Sequence, residues 1–116
     1  MKLILKLEEL GMLLIGIIFF SFLPFSWWWF LILFLLPDIG ILGYLLGNKI
    51  GAISYNLFHH KGLAVLIGII GIYLGSHYLQ LAGIILFSHA SFDRILGYGL
   101  KYEKGFKFTH LGEIGK

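Results

Sequence analysis

The chain has 116 residues, of which 59% are hydrophobic and 13% charged, with a formal net charge of +3. Soluble domains carry about 25% charged residues, so this composition describes an integral membrane protein with no room for a second large domain. There is no cysteine, which excludes disulfides, thiolate zinc sites, iron–sulfur clusters and cysteine nucleophiles.

Lys2 and Lys6 precede an apolar run as in a signal peptide, but Phe, Pro and Trp follow instead of a small-residue cleavage site. The segment reads as a retained helix. No Asp, Glu, Lys or Arg lies between Glu9 and Asp38, a stretch longer than one span of about 20 residues. Ser21, Pro24 and Ser26 interrupt it, and Trp27, Trp28 and Trp29 follow like an interfacial aromatic belt. The first two spans are therefore expected over 7–23 and 26–47. Gly47, Asn48 and Lys49 make a turn. A third span is expected over 50–75 and a fourth over 78–97. The expected fold is all-α, with four transmembrane helices in a compact bundle over 1–97 and a cytoplasmic tail over 98–116 packed as a loop near the membrane face.

Basic residues occur at the N-terminus, at Lys49 and from Arg94 onward, and are missing from the turns at 21–26 and 75–78. The positive-inside rule then places both termini in the cytoplasm. These charges suit lipid headgroups rather than nucleic acid. Membrane lipids are the expected partners, and a homo-oligomer stays open. Gly40, Gly43 and Gly47 share a 3-then-4 spacing with Gly68, Gly71 and Gly75. Small residues so spaced are expected to let helices approach closely.

Against this apolar background stand Asp38, His59, His60, His89 and Asp93. A carboxylate at bilayer depth costs roughly 2.5–3.5 kcal/mol and needs a compensating partner. A helical rise of about 1.5 Å per residue puts Asp38, His59, His60 and His89 about 12–15 Å from the cytoplasmic ends, and Asp93 about 6 Å. Pro37 is expected to kink the second span beside Asp38 by freeing a backbone carbonyl. His89 and Asp93, four apart, share a helix face, and imidazole with carboxylate suits zinc first, or manganese or iron. The expected metal ligands are Asp38, His60, His89 and Asp93. His59 and His60 are adjacent and point about 100° apart, so one of the two faces the centre. His59 and the tail residue His110 are the expected proton carriers.

Other arrangements stay open. Asp38 or Asp93 could instead pair with Lys49, Lys61 or Arg94, and paired histidines could ligate haem, although two aspartates fit haem poorly. His77 lies at the opposite end and reads as interfacial. No phosphate loop, G-x-S-x-G elbow or H-E-x-x-H motif is present.

Five segments carry a resemblance: Leu36-Pro37-Asp38-Ile39-Gly40, Tyr55-Asn56-Leu57-Phe58-His59-His60, His89-Ala90-Ser91-Phe92-Asp93-Arg94, Gly97-Tyr98-Gly99-Leu100-Lys101-Tyr102, and Gly105-Phe106 with Thr109-His110-Leu111-Gly112. Together they resemble the bacterial domain-of-unknown-function 4260 family over nearly the whole chain. The chain departs from that pattern at Lys61, where the family favours an aromatic residue. The resemblance implies a small multi-helix membrane protein of the bacterial cytoplasmic membrane, and it brings no established activity. The residues themselves point to a metal-dependent hydrolase of a lipid or lipid-linked substrate at the cytoplasmic leaflet. Beside it stand a non-enzymatic ion or proton path or small transporter, and a structural bundle without a site.

Overall fold

A computed structural model describes residues 2–101 and 108–113. Among them the chain forms α1 (Lys2–Ser21), α2 (Trp27–Phe34), a 3₁₀ helix (Leu36–Leu46), α3 (Asn48–His59), α4 (Lys61–Leu74), α5 (His77–Ile95) and a short hairpin, β1 (Phe108–Thr109) with β2 (Gly112–Glu113). The architecture is all-helical apart from that hairpin. α5 is the central element, packed along α1 and α4 and touching α2 and α3, while α3 lies against the 3₁₀ helix.

Two expected spans change character along their length. The second starts as α-helix, capped by Ser26, and tightens into 3₁₀ geometry at Pro37. Proline lacks an amide proton and crowds the preceding turn. Asp38 N, which would reach Phe34 O in an α-helix, instead reaches Leu35 O at 3.3 Å. The expected kink is thus realised as a change of helix type, and it leaves the Phe34 carbonyl for another partner.

The third expected span, 50–75, is not continuous. His60 adopts an extended backbone (φ −87°, ψ 113°), ends α3 and caps α4. Its Nδ1 accepts from Leu63 N at 3.0 Å, satisfying one of the amides that every helix start leaves open. α3 and α4 meet at a bend of 48°.

α1 begins at Lys2, earlier than expected, and carries its charged residues within the helix. Lys61 Nζ lies 2.6 Å from both Glu9 carboxylate oxygens and 3.0 Å from the Met12 sulfur. This pair ties α1 to the start of α4.

Trp27–Leu46 is long and apolar enough to cross a membrane, and the bent pair α3–α4 passes the same test as one broken span. Length and composition therefore support one or two spans, not the four expected. Glu8, Glu9 and Lys6 crowd α1, and His89, Asp93 and Arg94 lower the hydropathy of α5.

Where helices approach closely, glycine permits it. A Cβ on Gly83 would lie 2.6 Å from Gly68 N and 2.7 Å from Ala64 O, so α5 rests directly on the α4 backbone. Gly40 and Gly43 receive Ser54 and Tyr55 of α3 in the same way. The last glycine of each expected stripe has a different job. Gly47 (φ 113°) and Gly75 (φ 67°) stop helices in backbone conformations that side chains disfavour.

Phe20, Phe30, Leu81 and Ile85 form the apolar cluster at one level of the bundle. The expected tail loop contains the β1–β2 hairpin, and Lys101 bridges to Thr109. The remainder of the expected tail, 102–107 and 114–116, lies outside the described residues.

Candidate metal centre

Four side chains converge from three elements: Asp38 from the 3₁₀ helix, His59 from the end of α3, and His89 and Asp93 from one face of α5. One ligand atom from each lies within 4.8 Å of all the others. His89 Nε2 is 3.1 Å from Asp38 Oδ1 and 3.3 Å from Asp93 Oδ2. His59 Nε2 is 3.1 Å from Asp93 Oδ2 and 3.4 Å from Asp38 Oδ1, aligned as a hydrogen bond to neither.

The opposite ring nitrogens decide the chemistry. His59 Nδ1 faces the Tyr55 carbonyl at 2.9 Å, and His89 Nδ1 faces the Phe34 carbonyl. A carbonyl can only accept, so each Nδ1 carries the proton. In the neutral rings both Nε2 atoms then present lone pairs. Two carboxylates and two Nε2 lone pairs thus face one another, with two formal negative charges between them. Four acceptors cannot satisfy each other; the group needs protons or a cation at its centre. Nδ1 bonded to a carbonyl with Nε2 turned inward is also the orientation that metal-ligating histidines adopt.

The surroundings hold this set in place. The Tyr55 ring stacks on His59 (centroids 3.8 Å apart, planes at 6°), and its hydroxyl donates to Asp93 Oδ2 at 3.3 Å. Arg94 Nη2 donates to the His59 carbonyl at 3.2 Å, satisfying an acceptor that the end of α3 leaves open. Lys101 Nζ sits over the Tyr55 ring, 4.8 Å from its centroid. Burial holds the Lys101 ammonium down to about 8, against the opposing pull of the Asp93 charge. The His59 and His89 side chains are only 3% exposed and Asp93 13%, whereas Asp38 is 45% exposed. The group therefore opens on the Asp38 side.

Of the expected site residues, the structure brings together Asp38, His89 and Asp93 with His59, which was expected as a proton carrier rather than as a ligand. It places His60 elsewhere, as the exposed cap of α4, because the chain breaks at that residue. His110 is not in the group either. Its Nδ1 accepts from Leu100 N at 2.8 Å and its own amide donates to Leu100 O at 3.0 Å, so it fastens the tail turn. Burial, followed by the Arg94 charge, lowers the His110 pKa. The expected ion pairs also fall differently: Lys61 goes to Glu9, and Arg94 to a backbone carbonyl. Tyr55 is not among the expected site residues, although it lies four residues before His59 on the same helix face. The Phe34 carbonyl carried no signal, since it is exposed to His89 only by the local change of helix type.

Residues 2–114 match the domain of unknown function 4260. The chain belongs to that family. No curated protein and no solved structure matches it. Membership of the 4260 family names no substrate and no reaction.

Proposed function

We propose that this 4260-family protein is a membrane-embedded, metal-dependent hydrolase that acts on a lipid or lipid-linked substrate, with Asp38, His59, His89 and Asp93 holding a divalent cation. The observation that carries the reading is the meeting of two carboxylates with two histidine Nε2 lone pairs, each histidine fixed by a backbone carbonyl. A divalent ion offsets both negative charges and serves all four acceptors. Nitrogen and oxygen donors of this kind suit zinc, with manganese or iron as alternatives.

The membrane setting draws support from the outer surface. Leu45 is 84% exposed, Trp28 72% and Ile72 70%, while His59, His89, Ser88 and Ser91 are buried. In water such an apolar exterior would be an interaction or aggregation surface; in lipid it meets hydrocarbon. The arrangement follows with four helical passes, α1, α2 with the 3₁₀ helix, the bent α3–α4 pair, and α5, and with both termini on the cytoplasmic side.

When bound, the ion would supply Lewis acidity and a water of lowered pKa. The chain's own residues do the rest. The Phe34 and Tyr55 carbonyls fix the ring tautomers, and the Tyr55 hydroxyl orients Asp93. The exposed side of Asp38 gives the approach for substrate.

Elemental analysis of protein purified in mild detergent, without chelator or histidine tag, tests the reading beside His59→Ala, Asp93→Ala and His60→Ala. Near-stoichiometric metal in the wild type and in His60→Ala, lost in the other two, is expected. Chelator-sensitive release of product from lipid ester or phosphoester substrates is expected to follow the same pattern. Metal-free wild-type protein with folded variants would overturn the metalloenzyme and leave a proton path or a structural network, in which protons rather than an ion satisfy the four acceptors.

A further inference from the structure

An apolar cleft of about 270 Å³ lies between the 3₁₀ helix, the end of α3 and α5. Its walls include Pro37, Phe58, Tyr78, Leu81, Ala82 and Ile85. Pro37 and Phe58 directly precede Asp38 and His59, and Ile85 lies one helical turn before His89. None of the four converging side chains lines the cleft itself, but residues next to Asp38 and His59 and one turn before His89 do, and at its other end it reaches Tyr78 near the start of α5. A rise of about 1.5 Å per residue makes the Tyr78–Leu86 stretch about 12 Å long. No lining residue offers a charge, and Tyr78 at the far end supplies the one hydroxyl.

A larger cavity of about 360 Å³ lies between α1, α4 and α5, but none of the four converging side chains, and no residue next to them in sequence, lines it. Size favours that cavity; position favours the smaller cleft.

We infer that the smaller cleft holds a single hydrocarbon chain of the substrate, with its polar head at Asp38, His59, His89 and Asp93 and its tail pointing toward Tyr78. Three features select this occupant. The cleft is lined by apolar side chains, residues next to Asp38 and His59 and one turn before His89 flank one end of it, and its length of about 12 Å suits a single alkyl chain. The substrate class is then a lipid whose cleavable bond lies at the junction of head and chain. The inference rests on the lipid-hydrolase reading above for the chemistry, and on the cleft alone for the chain.

Photolabelling in detergent micelles separates the two. The probes are single-chain alkyl phosphates about as long as the cleft, carrying a diazirine either next to the head or at the chain end. The head-proximal probe is expected to label around Phe58 and Ile85, and the chain-end probe around Tyr78 and Leu81. Ala82→Trp, or Leu86→Trp should the first variant not fold, is expected to lower both labels by at least fivefold. Equal labelling by both probes, or labelling spread over outer residues such as Leu45 and Ile72 and indifferent to the tryptophans, would overturn the inference. Ordered labelling in a protein that binds no metal would sustain the cleft while removing the hydrolase. Bound metal with disordered labelling would do the reverse.

Discussion

One stripe of α5 runs Leu81, Ile85, His89, Asp93 at intervals of four, and its two halves are held by opposite physics. Leu81 and Ile85 join Phe20 and Phe30 in an apolar cluster where rings meet edge to face, as Phe20 and Phe30 do at 5.1 Å. His89 and Asp93 join Asp38 and His59 in a set that repels itself until something positive enters. The apolar half is complete as it stands and owes its strength to packing. The polar half needs protons or a cation between its carboxylates and imidazoles, and buried ionisable clusters of this kind are candidates for function. The same helix thus serves as a packed post at one end and carries the candidate site at the other.

Substitutions on each half should separate these roles. Phe20→Ala opens a cavity in the packed half. It is expected to lower stability by about 3 kcal/mol, read from denaturant unfolding in micelles, while metal per folded protein stays unchanged. A parallel loss of metal affinity would show that the halves are one cooperative unit. Pro37→Ala acts on the polar half at a distance. It allows Asp38 N to return to the Phe34 carbonyl and so competes with His89 Nδ1 for that acceptor. Metal affinity is expected to fall about 10–100-fold, the usual cost of losing a group that orients a ligand, and competition with a chelating dye measures it. An unchanged affinity would show that the Phe34 carbonyl does not govern His89.

His60→Ala sharpens the contrast between neighbours. It removes the cap of α4 at a cost of about 1 kcal/mol and is expected to leave metal binding intact, whereas His59→Ala is expected to abolish it. The smallest effect is a pH dependence of the tail. The His110 pKa in the folded chain lies below its ordinary value of about 6.5. Between that lowered value and about 6.5 the unfolded tail binds more protons, so docking of the tail weakens as pH falls through this window and is complete above it. Protonation also removes the lone pair that accepts from Leu100 N. A lower protection factor at Leu100 at pH 5.5 than at pH 7, taken against the slower intrinsic exchange in acid and absent in His110→Ala, is the expected result.

Much of the site was legible before the fold because its members are expensive. Asp38, His89 and Asp93 stand out in apolar surroundings, helical rise alone puts them in one half of the bundle, and the four-residue spacing puts His89 and Asp93 on one face. The choice between His59 and His60 was not legible. Two adjacent residues of one helix differ only by a rotation, and the decision came from a break in the helix made by the second of them. A histidine acting as helix cap leaves no periodicity to detect. The glycine triplets were half legible for a related reason: spacing reports which residues share a face, but not that Gly47 and Gly75 no longer belong to a helix. Four apolar stretches suggested four equivalent spans, yet charge within α1 and polarity within α5 leave only Trp27–Leu46 and the bent α3–α4 pair, among the described residues, long and apolar enough to cross a membrane.

The pairing of Glu9 with Lys61 joins residues 52 positions apart, so in a growing chain the carboxylate of α1 is made long before its counter-ion. The contact that ties α1 to the start of α4 can close only once both helices exist, and Lys61 then meets both oxygens of the Glu9 carboxylate at 2.6 Å.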